Sequence, residues 1–166
     1  MKITHNNLTI EIDNYYFNPR EWDNNCKMVF FHKGLGDKHN INHKDYSSWD
    51  ELKNGLNKIY GNIHTILPVY LLDQPNLKIT TNKLSEQIGF VFINDKTLEE
   101  KNIREIHVPH IIEHEINVYN NSISGEMYQF TIKNDKGETL VKFSGFSGKE
   151  HCIEQAKKYI EKYLHI

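Results

Sequence analysis

The order of strand-like and helix-like segments is the feature that most constrains the fold of this chain. Short runs rich in Ile, Val, Phe and Tyr predict strands at residues 8–12, 26–31, 63–72, 77–80, 88–93, 127–132 and 139–143. Apolar residues at helical spacing predict helices at 49–60 and 150–164, a capping residue predicts a short charged helix at 95–104, and Pro109 predicts the first turn of a helix at 109–120. Because strands and helices do not alternate, a doubly wound parallel sheet does not fit. We therefore expect an α+β fold: a mostly antiparallel sheet with about four helices packed on it.

Local signals add detail to this expectation. Ser47 or Ser48 is suited to cap the first helix, and Glu51 completes a capping box with Ser48. Pro68 inside a strand predicts a bulge or a sheet edge, and Gly89 predicts a bulge or a close backbone approach. Asp95 or Thr97 is the expected cap of the second helix. Turns are expected at 74–76 and 134–137, the second of which closes a hairpin.

The bulk composition narrows the class of protein. The chain has 166 residues, of which 38% are hydrophobic and 11% aromatic, and we find no repeat or linker. This predicts a single domain, 1–166, with a modest core. The net charge of −2 argues against a strongly basic nucleic-acid binder and against an acidic mimic of DNA.

Cysteine use and the apolar runs predict a cytoplasmic protein. Cys26 and Cys152 are too few for a disulfide-rich secreted domain, so we expect both to be reduced and at least partly buried. The first residues lack the apolar stretch of a signal peptide. The longest apolar run, residues 63–72, is too short to cross a bilayer, so no membrane association is expected.

Residues 18–24, with the sequence N-P-R-E-W-D-N, form the first candidate site. Pro19 stiffens this loop, and Arg20 is suited to pair with a carboxylate or a phosphate. Trp22 offers a large apolar surface, and Asp23 favours a turn. Two interpretations stay open: a recognition loop, or a structural loop pinned by Trp22 in which Arg20 and Asp23 pair internally.

A second candidate site is the loop that follows the strand at 26–31. It contains His32, Asp37, His39 and His43, whose imidazole and carboxylate groups suit a divalent metal or a phosphate. The spacing matches no closed zinc site. A solvated loop, with His32 as a half-buried histidine, is the alternative interpretation.

Residues 110–114 read H-I-I-E-H, which matches the H-x-x-E-H pattern of a class of zinc hydrolases. On a helix, His110 and His114 lie one turn apart and Glu113 lies beside them as a base. Among ten histidines such a pair arises easily by chance, and the sequence offers no evident third ligand.

Several segments together resemble a family of small, mostly uncharacterised proteins encoded by phages and mobile elements of low-GC bacteria. The segments that carry the resemblance are N-P-R-E-W-D-N (18–24), M-V-F-F-H (28–32), L-G-D-K-H (35–39), L-P-V-Y-L-L-D (67–73) and Q-I-G-F-V-F-I (87–93), followed by a hairpin and a helix. The first three are specific in combination. Accessory proteins of this kind often act by binding a host protein, so the resemblance implies a binding function.

The chain departs from the family pattern in two places. An aromatic-Asp-His-Ser-Gly stretch is expected after the L-P-x-Y-L strand, but here only Asp73 is kept. The tryptophan-containing stretch expected before Q-I-G-F is reduced to residues 82–86. The family segment that matches 110–114 is not histidine-rich, which weakens the zinc hypothesis. These departures favour a binding surface over a catalytic site.

Our leading hypothesis is a non-catalytic inhibitor of a host defence complex, such as a CRISPR effector protein or ribonucleoprotein, acting in the host cytoplasm without a cofactor. The residues expected to bind are Arg20, Trp22, Asp23, His32, Asp37, His39 and Asp73. The alternative is a metal-dependent hydrolase or nucleotide-signal binder that uses His32, Asp37 and His39. A third hypothesis is a nucleic-acid-binding module with a basic face of Lys149, Lys157, Lys158 and Lys162 on the last helix.

Overall fold

The computed structural model describes residues 1–16, 18–73 and 77–164. The expected turn at 74–76 lies outside the described residues. The strands are β1 Lys2–His5, β2 Leu8–Asn14, β3 Lys27–Phe30, β4 Ile63–Leu72, β5 Lys78–Thr80, β6 Gln87–Asn94, β7 Met127–Lys133 and β8 Thr139–Ser147. The helices are α1 Trp49–Tyr60, α2 Asp95–Glu100, α3 Val108–Ile123 and α4 Lys149–Tyr163.

Over the described residues, the α+β class, the antiparallel pairing and the four helices are confirmed, but the strands form two four-stranded sheets instead of one. The chain divides into two compact units, residues 1–19 with 121–166 and residues 20–120. No helix among the described residues has the length and apolar character needed to span a bilayer.

The first unit contains the sheet β1-β2-β7-β8, in which every neighbouring pair is antiparallel. Alternate residues of β2 (Leu8, Ile10 and Ile12) are buried, as expected for a sheet with one covered face. They form a core with Phe130 and Ile132 of β7, which lie opposite Ile12 and Ile10. The covering layer is α4, whose buried face is Cys152, Ala156 and Ile160.

Strand β1 was missed by the sequence analysis. It pairs with β2 through a two-residue turn at Asn6 and Asn7, whose φ values are 49° and 64°. Two consecutive residues with positive φ are the requirement of a tight hairpin turn, and Asn accepts this conformation more readily than most residues. The Asn-Asn pair was the signal for this hairpin.

The second unit contains the sheet β3-β6-β4-β5, which is also antiparallel throughout. One core cluster joins Val29, Phe90 and Phe92 of the sheet to Leu52 and Leu56 of α1. Helix α3 contributes Tyr119, whose ring meets Phe30 edge-on at a centroid distance of 6.4 Å. Helices α1 and α3 therefore both pack against this sheet, α1 through Leu52 and Leu56 and α3 through Tyr119.

The first two helices differ in how well their ends were predicted. The Ser48 side chain accepts from the Glu51 backbone N–H at 3.1 Å, and Gly61 ends α1 with a φ of 69°. The Glu51 carboxylate accepts from the Ser47 N–H at 2.6 Å, one residue before the position that a capping box uses. Helix α2 begins after Asn94 and ends at Glu100, so the prediction of a helix through Arg104 was wrong.

Gly89 occupies a point of close backbone approach, as predicted. It lies opposite Phe30 of β3 and Val69 of β4. A Cβ atom at Gly89 would stand 2.1 Å from the Val29 carbonyl oxygen and 2.8 Å from the Phe30 Cα. A bulge follows at Val69/Tyr70, next to Pro68, so the irregularity predicted for Pro68 is also present.

Gly89→Ala is expected to lower the free energy of unfolding by about 1–3 kcal/mol or more, because the new methyl group overlaps backbone atoms that cannot move without breaking the sheet. Urea denaturation measures this change. Gly34→Asn is the control, since Gly34 has open space around it and Asn tolerates its φ of +81°. Equal stability of the Gly89→Ala protein and the wild type would contradict the close approach.

Both cysteines are free and buried, as predicted. Burial raises the pKa of Cys152 to about 11. Burial, followed by the nearby Glu115 carboxylate, raises the pKa of Cys26 as well. At pH 8 both groups are therefore protonated thiols, which react slowly because the thiolate is the nucleophile.

A thiol reagent at pH 8 is expected to modify neither cysteine in the folded protein and both in urea. The release of the reagent's chromophore measures the number of accessible thiols. Rapid modification of either cysteine without denaturant would show that its side chain is exposed in solution.

Candidate binding site

Strand β3 lies at the edge of its sheet, and its outward-facing backbone groups are the starting point of the site. The Phe31 N–H donates to the Ile88 carbonyl at 2.7 Å, which places the odd-numbered residues of β3 against β6. Backbone groups alternate in direction along a strand, so those of Cys26, Met28 and Phe30 face away from β6. A row of unpaired N–H and C=O groups raises the free energy of the folded state when it is buried. When it is exposed, it can pair with a strand of another chain.

Arg20 and Asp37 occupy this edge together. Arg20 donates from Nε to Asp37 Oδ1 at 2.7 Å and from Nη2 to Asp37 Oδ2 at 3.2 Å, which makes the pair bidentate. The same Nη2 donates to the Cys26 carbonyl at 2.7 Å. Asp37 accepts from the Met28 N–H at 2.8 Å, and its own N–H donates to the Met28 carbonyl at 2.8 Å.

Glu115 of α3 completes the ionic network. Its Oε1 accepts from Arg20 Nη1 at 3.0 Å, and its carboxylate accepts from the N–H groups of Asn25 and Cys26 at 3.1–3.2 Å. The side chains of Arg20 and Glu115 are only 3% and 10% exposed. One guanidinium therefore bridges two carboxylates, and backbone N–H groups supply the remaining hydrogen bonds that ionised carboxylates need in a buried position.

His39 covers the last outward carbonyl of the strand. Its Nδ1 accepts from the Ile41 N–H at 3.1 Å, so the ring proton is on Nε2, which donates to the Phe30 carbonyl at 2.8 Å. We call Arg20, Asp37, His39 and Glu115 the β3 edge cap. Between them they hydrogen-bond both backbone groups of Cys26, both backbone groups of Met28 and the carbonyl of Phe30.

The cap also determines the electrostatics of its members. Burial acts to lower the pKa of Arg20, but the hydrogen bonds and charges of Asp37 and Glu115 outweigh it, so the net pKa is raised. Arg20 is therefore a permanent cation. Burial also raises the pKa of Tyr119, whose hydroxyl accepts from the Gly36 N–H at 2.8 Å.

The local chain geometry explains how the cap residues arrive at the edge. Pro19 begins a short 3-10 turn, Pro19–Glu21, that presents Arg20. Gly36 has a φ of +84°, and a Cβ atom there would stand 2.9 Å from the Met28 carbonyl. Only a residue without a side chain lets the loop approach β3 so closely that the Asp37 backbone can pair with Met28.

Trp22 and Asp23 lie on the outer side of the same region. A pocket of about 360 Å³ is lined by these two residues, by Arg20 and Asp37, and by Asn24, Cys26, Lys27, Val29, Lys38 and Tyr60. Trp22 is 38% exposed. The Asp23 carboxylate pairs with Lys101 at 3.2 Å, so the internal Arg20–Asp23 pair that one interpretation expected is replaced by the Arg20–Asp37 pair.

His32 and Asp73 do not join the cap. The Nδ1 atom of His32 is buried without a hydrogen-bond partner among the described residues. Asp73 is exposed and follows the end of β4. Leu67 is level with Met28 across β6, so six further residues place Asp73 roughly 20 Å along the strand direction from the level of Asp37.

The H-x-x-E-H segment lies on the exposed side of α3. His110, Glu113 and His114 are exposed, whereas the buried side of the helix holds Val108, Ile112, Glu115, Ile116 and Tyr119. Within the described ranges, no group of three or more His, Cys, Asp or Glu side chains is arranged to hold a metal ion. In the second candidate cluster, both ring nitrogens of His39 and both oxygens of Asp37 already make hydrogen bonds.

The first unit carries an aromatic surface that the sequence analysis did not identify. Phe143 of β8 contacts the buried Phe130 at a centroid distance of 5.6 Å and Tyr159 of α4 at 5.2 Å. Tyr159 contacts Tyr163 at 4.9 Å, and the Lys162 amine lies 5.1 Å from the Tyr163 ring. We call Phe143, Tyr159 and Tyr163 the aromatic ladder. Phe143 is 42% exposed and Tyr163 is 59% exposed.

The lysines of α4 that the nucleic-acid hypothesis named do not form a uniform basic face. Lys158 pairs with Glu154 at 2.7 Å, and Lys157 is half-buried. Lys162 contacts the Tyr163 ring. Pairing of this kind reduces the positive potential that phosphate binding requires.

Comparisons of the chain with protein-family models, with curated proteins and with solved structures found no match. What the site does must therefore be inferred from its own geometry. That geometry assigns three of the seven residues expected to bind, Arg20, Asp37 and His39, to holding the edge of β3. Trp22 and Asp23 remain in contact with solvent at the pocket.

Arg20→Ala is expected to destabilise the protein by about 3–5 kcal/mol, because it leaves the buried Glu115 carboxylate and the partly buried Asp37 carboxylate without their cation. Asp37→Asn, which keeps the shape of the side chain, should give a smaller loss in the same direction. Chemical denaturation measures both. If Arg20→Ala does not fold, Asp37→Asn carries the test alone.

Lys101→Ala is the matched control for the cap variants, since it removes the exposed ion pair with Asp23, whose side chain is 92% exposed. An exposed pair contributes less than about 1 kcal/mol. A cost for Arg20→Ala or Asp37→Asn no larger than that of Lys101→Ala would contradict the role of the cap.

Proposed function

We propose that this chain is a phage or mobile-element protein that binds a host defence complex and inhibits it without catalysing a reaction. The resemblance of residues 18–24, 28–32, 35–39, 67–73 and 87–93 to accessory proteins of phages and mobile elements supports the class. The observation that carries the binding function is the aromatic ladder. The complex is a defence protein or ribonucleoprotein in the host cytoplasm, for example a CRISPR effector.

The ladder has the composition of an interface centre. Aromatic side chains dominate the energy of protein interfaces because each buries a large area at a low cost in side-chain entropy. Lys162 adds a positive charge beside Tyr163. A ring of polar residues around exposed aromatics is the usual arrangement of a site that excludes water when the partner binds.

The ladder is also held in place before any partner arrives. Phe143 rests on Phe130, which is 1% exposed and itself stacks on Phe146 at 5.2 Å. Tyr159 is held between Phe143 and Tyr163. Because these contacts restrict the rings before a partner binds, less conformational entropy is lost on association, and more of the contact energy contributes to affinity.

The charge of the protein favours a protein partner over a bare nucleic acid. The net charge is −2, so the field around the protein does not attract phosphate over long distances. Shape and aromatic contact, rather than charge, would then provide the affinity. Inhibition follows by steric block if the ladder covers a surface that the defence complex needs for its target.

Tyr163→Glu is expected to abolish protection in cells that carry an active defence system and are infected by a phage it restricts. The added charge would be buried at the interface, and loss of a central aromatic contact weakens binding by about tenfold or more. Plaque counts measure protection, and co-purification with the tagged defence complex measures binding.

Tyr16→Glu is the matched control, because Tyr16 belongs to the same unit, is 89% exposed and lies outside the ladder. Thermal denaturation confirms that both variants fold. Two results would remove the proposal: no protection by the wild type against any defence system in a panel, or equal protection by the Tyr163→Glu and wild-type proteins.

A further inference from the structure

The pocket beside Trp22 has walls from four separate segments of the second unit. Trp22 and Asn24 come from the loop after the 3-10 turn, Lys27 from β3, Lys38 from the loop after Asp37, and Tyr60 from the end of α1. Its volume of about 360 Å³ is within the range of small-molecule sites, near the lower end. A concave site of this size suits a ligand of one or two rings.

Two aromatic side chains line this pocket. Tyr60 is held by its contact with the Phe92 ring at 5.0 Å, and Phe92 lies opposite Lys27 in the sheet. Lys27 and Tyr60 are therefore at the same level on one face of the sheet. Trp22 presents a partly exposed indole, and flat aromatic surfaces of this kind bind the faces of planar rings.

Both carboxylates that line the pocket are paired with a cation, whereas its two lysines have no paired carboxylate among the described residues. The carboxylate of Asp37 is neutralised by Arg20, and that of Asp23 pairs with Lys101. By contrast, Lys27 and Lys38 are exposed, and no carboxylate of the described residues lies within ion-pair distance of either amine. The lysines are the two cationic groups of the lining that no anion balances, so the pocket suits an anionic ligand.

The lining also contains hydrogen-bonding groups suited to the edge of a base. Asn24 donates its side-chain N–H to the Trp22 carbonyl at 3.1 Å, which orients the amide. An amide carries donor and acceptor atoms, the two kinds of group that the edge of a base presents. Aromatic surface, an oriented amide and two unbalanced amines are the groups that a nucleotide requires.

We propose that this pocket binds a nucleoside monophosphate, with the base against Trp22 and Tyr60 and the phosphate held by Lys27 and Lys38. The Arg20–Asp37 pair, whose charges neutralise each other, also lines it. This site uses none of the aromatic ladder, so it is a second binding activity beyond the proposed inhibition. The same pocket also suits the terminal nucleotide of a strand, which the test below separates from a free nucleotide.

The test is an NMR titration of the full chain, labelled with ¹⁵N, with AMP, GMP, CMP and UMP. The chain has two tryptophans, so it gives two indole signals. The Trp22 indole is expected to shift in a saturable way, with a dissociation constant below about 1 mM for at least one nucleotide. Trp49 contacts Phe31 and Phe90 and does not line the pocket, so its signal is the internal control.

Lys27→Glu and Lys38→Glu are each expected to weaken binding by about tenfold, since each reverses a charge at the phosphate. Lys44→Glu, at another exposed position of the same unit, should leave binding unchanged. Circular dichroism confirms that all three variants fold. The matching nucleoside without its phosphate should bind more weakly than the nucleotide.

Three results would overturn the proposal. The Trp22 indole would not respond to any of the four nucleotides, or sodium phosphate alone would shift it as far as a nucleotide does. Alternatively, the Lys27→Glu and Lys38→Glu proteins would bind as well as the Lys44→Glu protein. A single-stranded oligonucleotide that binds while all four monophosphates fail would replace a free nucleotide with a strand end as the ligand.

Discussion

The outward backbone groups of β3 need partners because the strand ends its sheet. Neighbouring strands usually provide such partners, and at this edge side chains and the backbone N–H of Asp37 do so instead. Arg20 reaches the Cys26 carbonyl, Asp37 reaches both backbone groups of Met28, and His39 reaches the Phe30 carbonyl. Residues 18–24 and 35–39, which are separate segments of the sequence, therefore act together at this edge. The ion pair between Arg20 and Asp37 joins them.

The other edge of the same sheet is closed in a similar way. Strand β5 has Ile79 facing outward, and Asn120 of α3 satisfies both of its backbone groups. The Asn120 oxygen accepts from the Ile79 N–H at 2.7 Å, and its amide nitrogen donates to the Ile79 carbonyl at 2.9 Å. One helix therefore supplies an edge partner on both sides, Glu115 for β3 and Asn120 for β5. Polar groups that occupy an edge in this way make pairing with a foreign strand less favourable.

The sequence predicted the elements of the fold better than their assembly. Strands β3, β4 and β6 and helix α1 are clear from apolar runs and capping residues, because these signals are local. The division into two sheets depends on which strands pair, and that is a matter of long-range register. Strand β1 was missed because its only strong signal, Asn6 and Asn7, is a turn rather than a strand. Helix α2 ended early because Asn102, with a φ of 52°, lies outside helical geometry.

For the candidate site, too, the sequence predicted local features but not which residues contact each other across the fold. Arg20 was correctly expected to pair with a carboxylate, but the sequence could not say that Asp37 rather than Asp23 is the partner. Glu115 was missed, although a carboxylate at a position of α3 that repeats with Ile112 and Tyr119 was a usable signal of a buried partner. The role of His39 was unpredictable, because it depends on which carbonyl faces outward.

The order in which the chain is synthesised gives the edge cap a role in folding. β3 is synthesised well before β6, the strand it pairs with, and longer still before Glu115 of α3. The Arg20–Asp37 contact spans 17 residues, so its loop closes at a low entropic cost while the rest of the chain is still missing. A nascent chain can therefore shield one side of β3 early, at the stage when an unpaired apolar strand is most prone to aggregate. Glu115 then joins a half-closed edge instead of an open one.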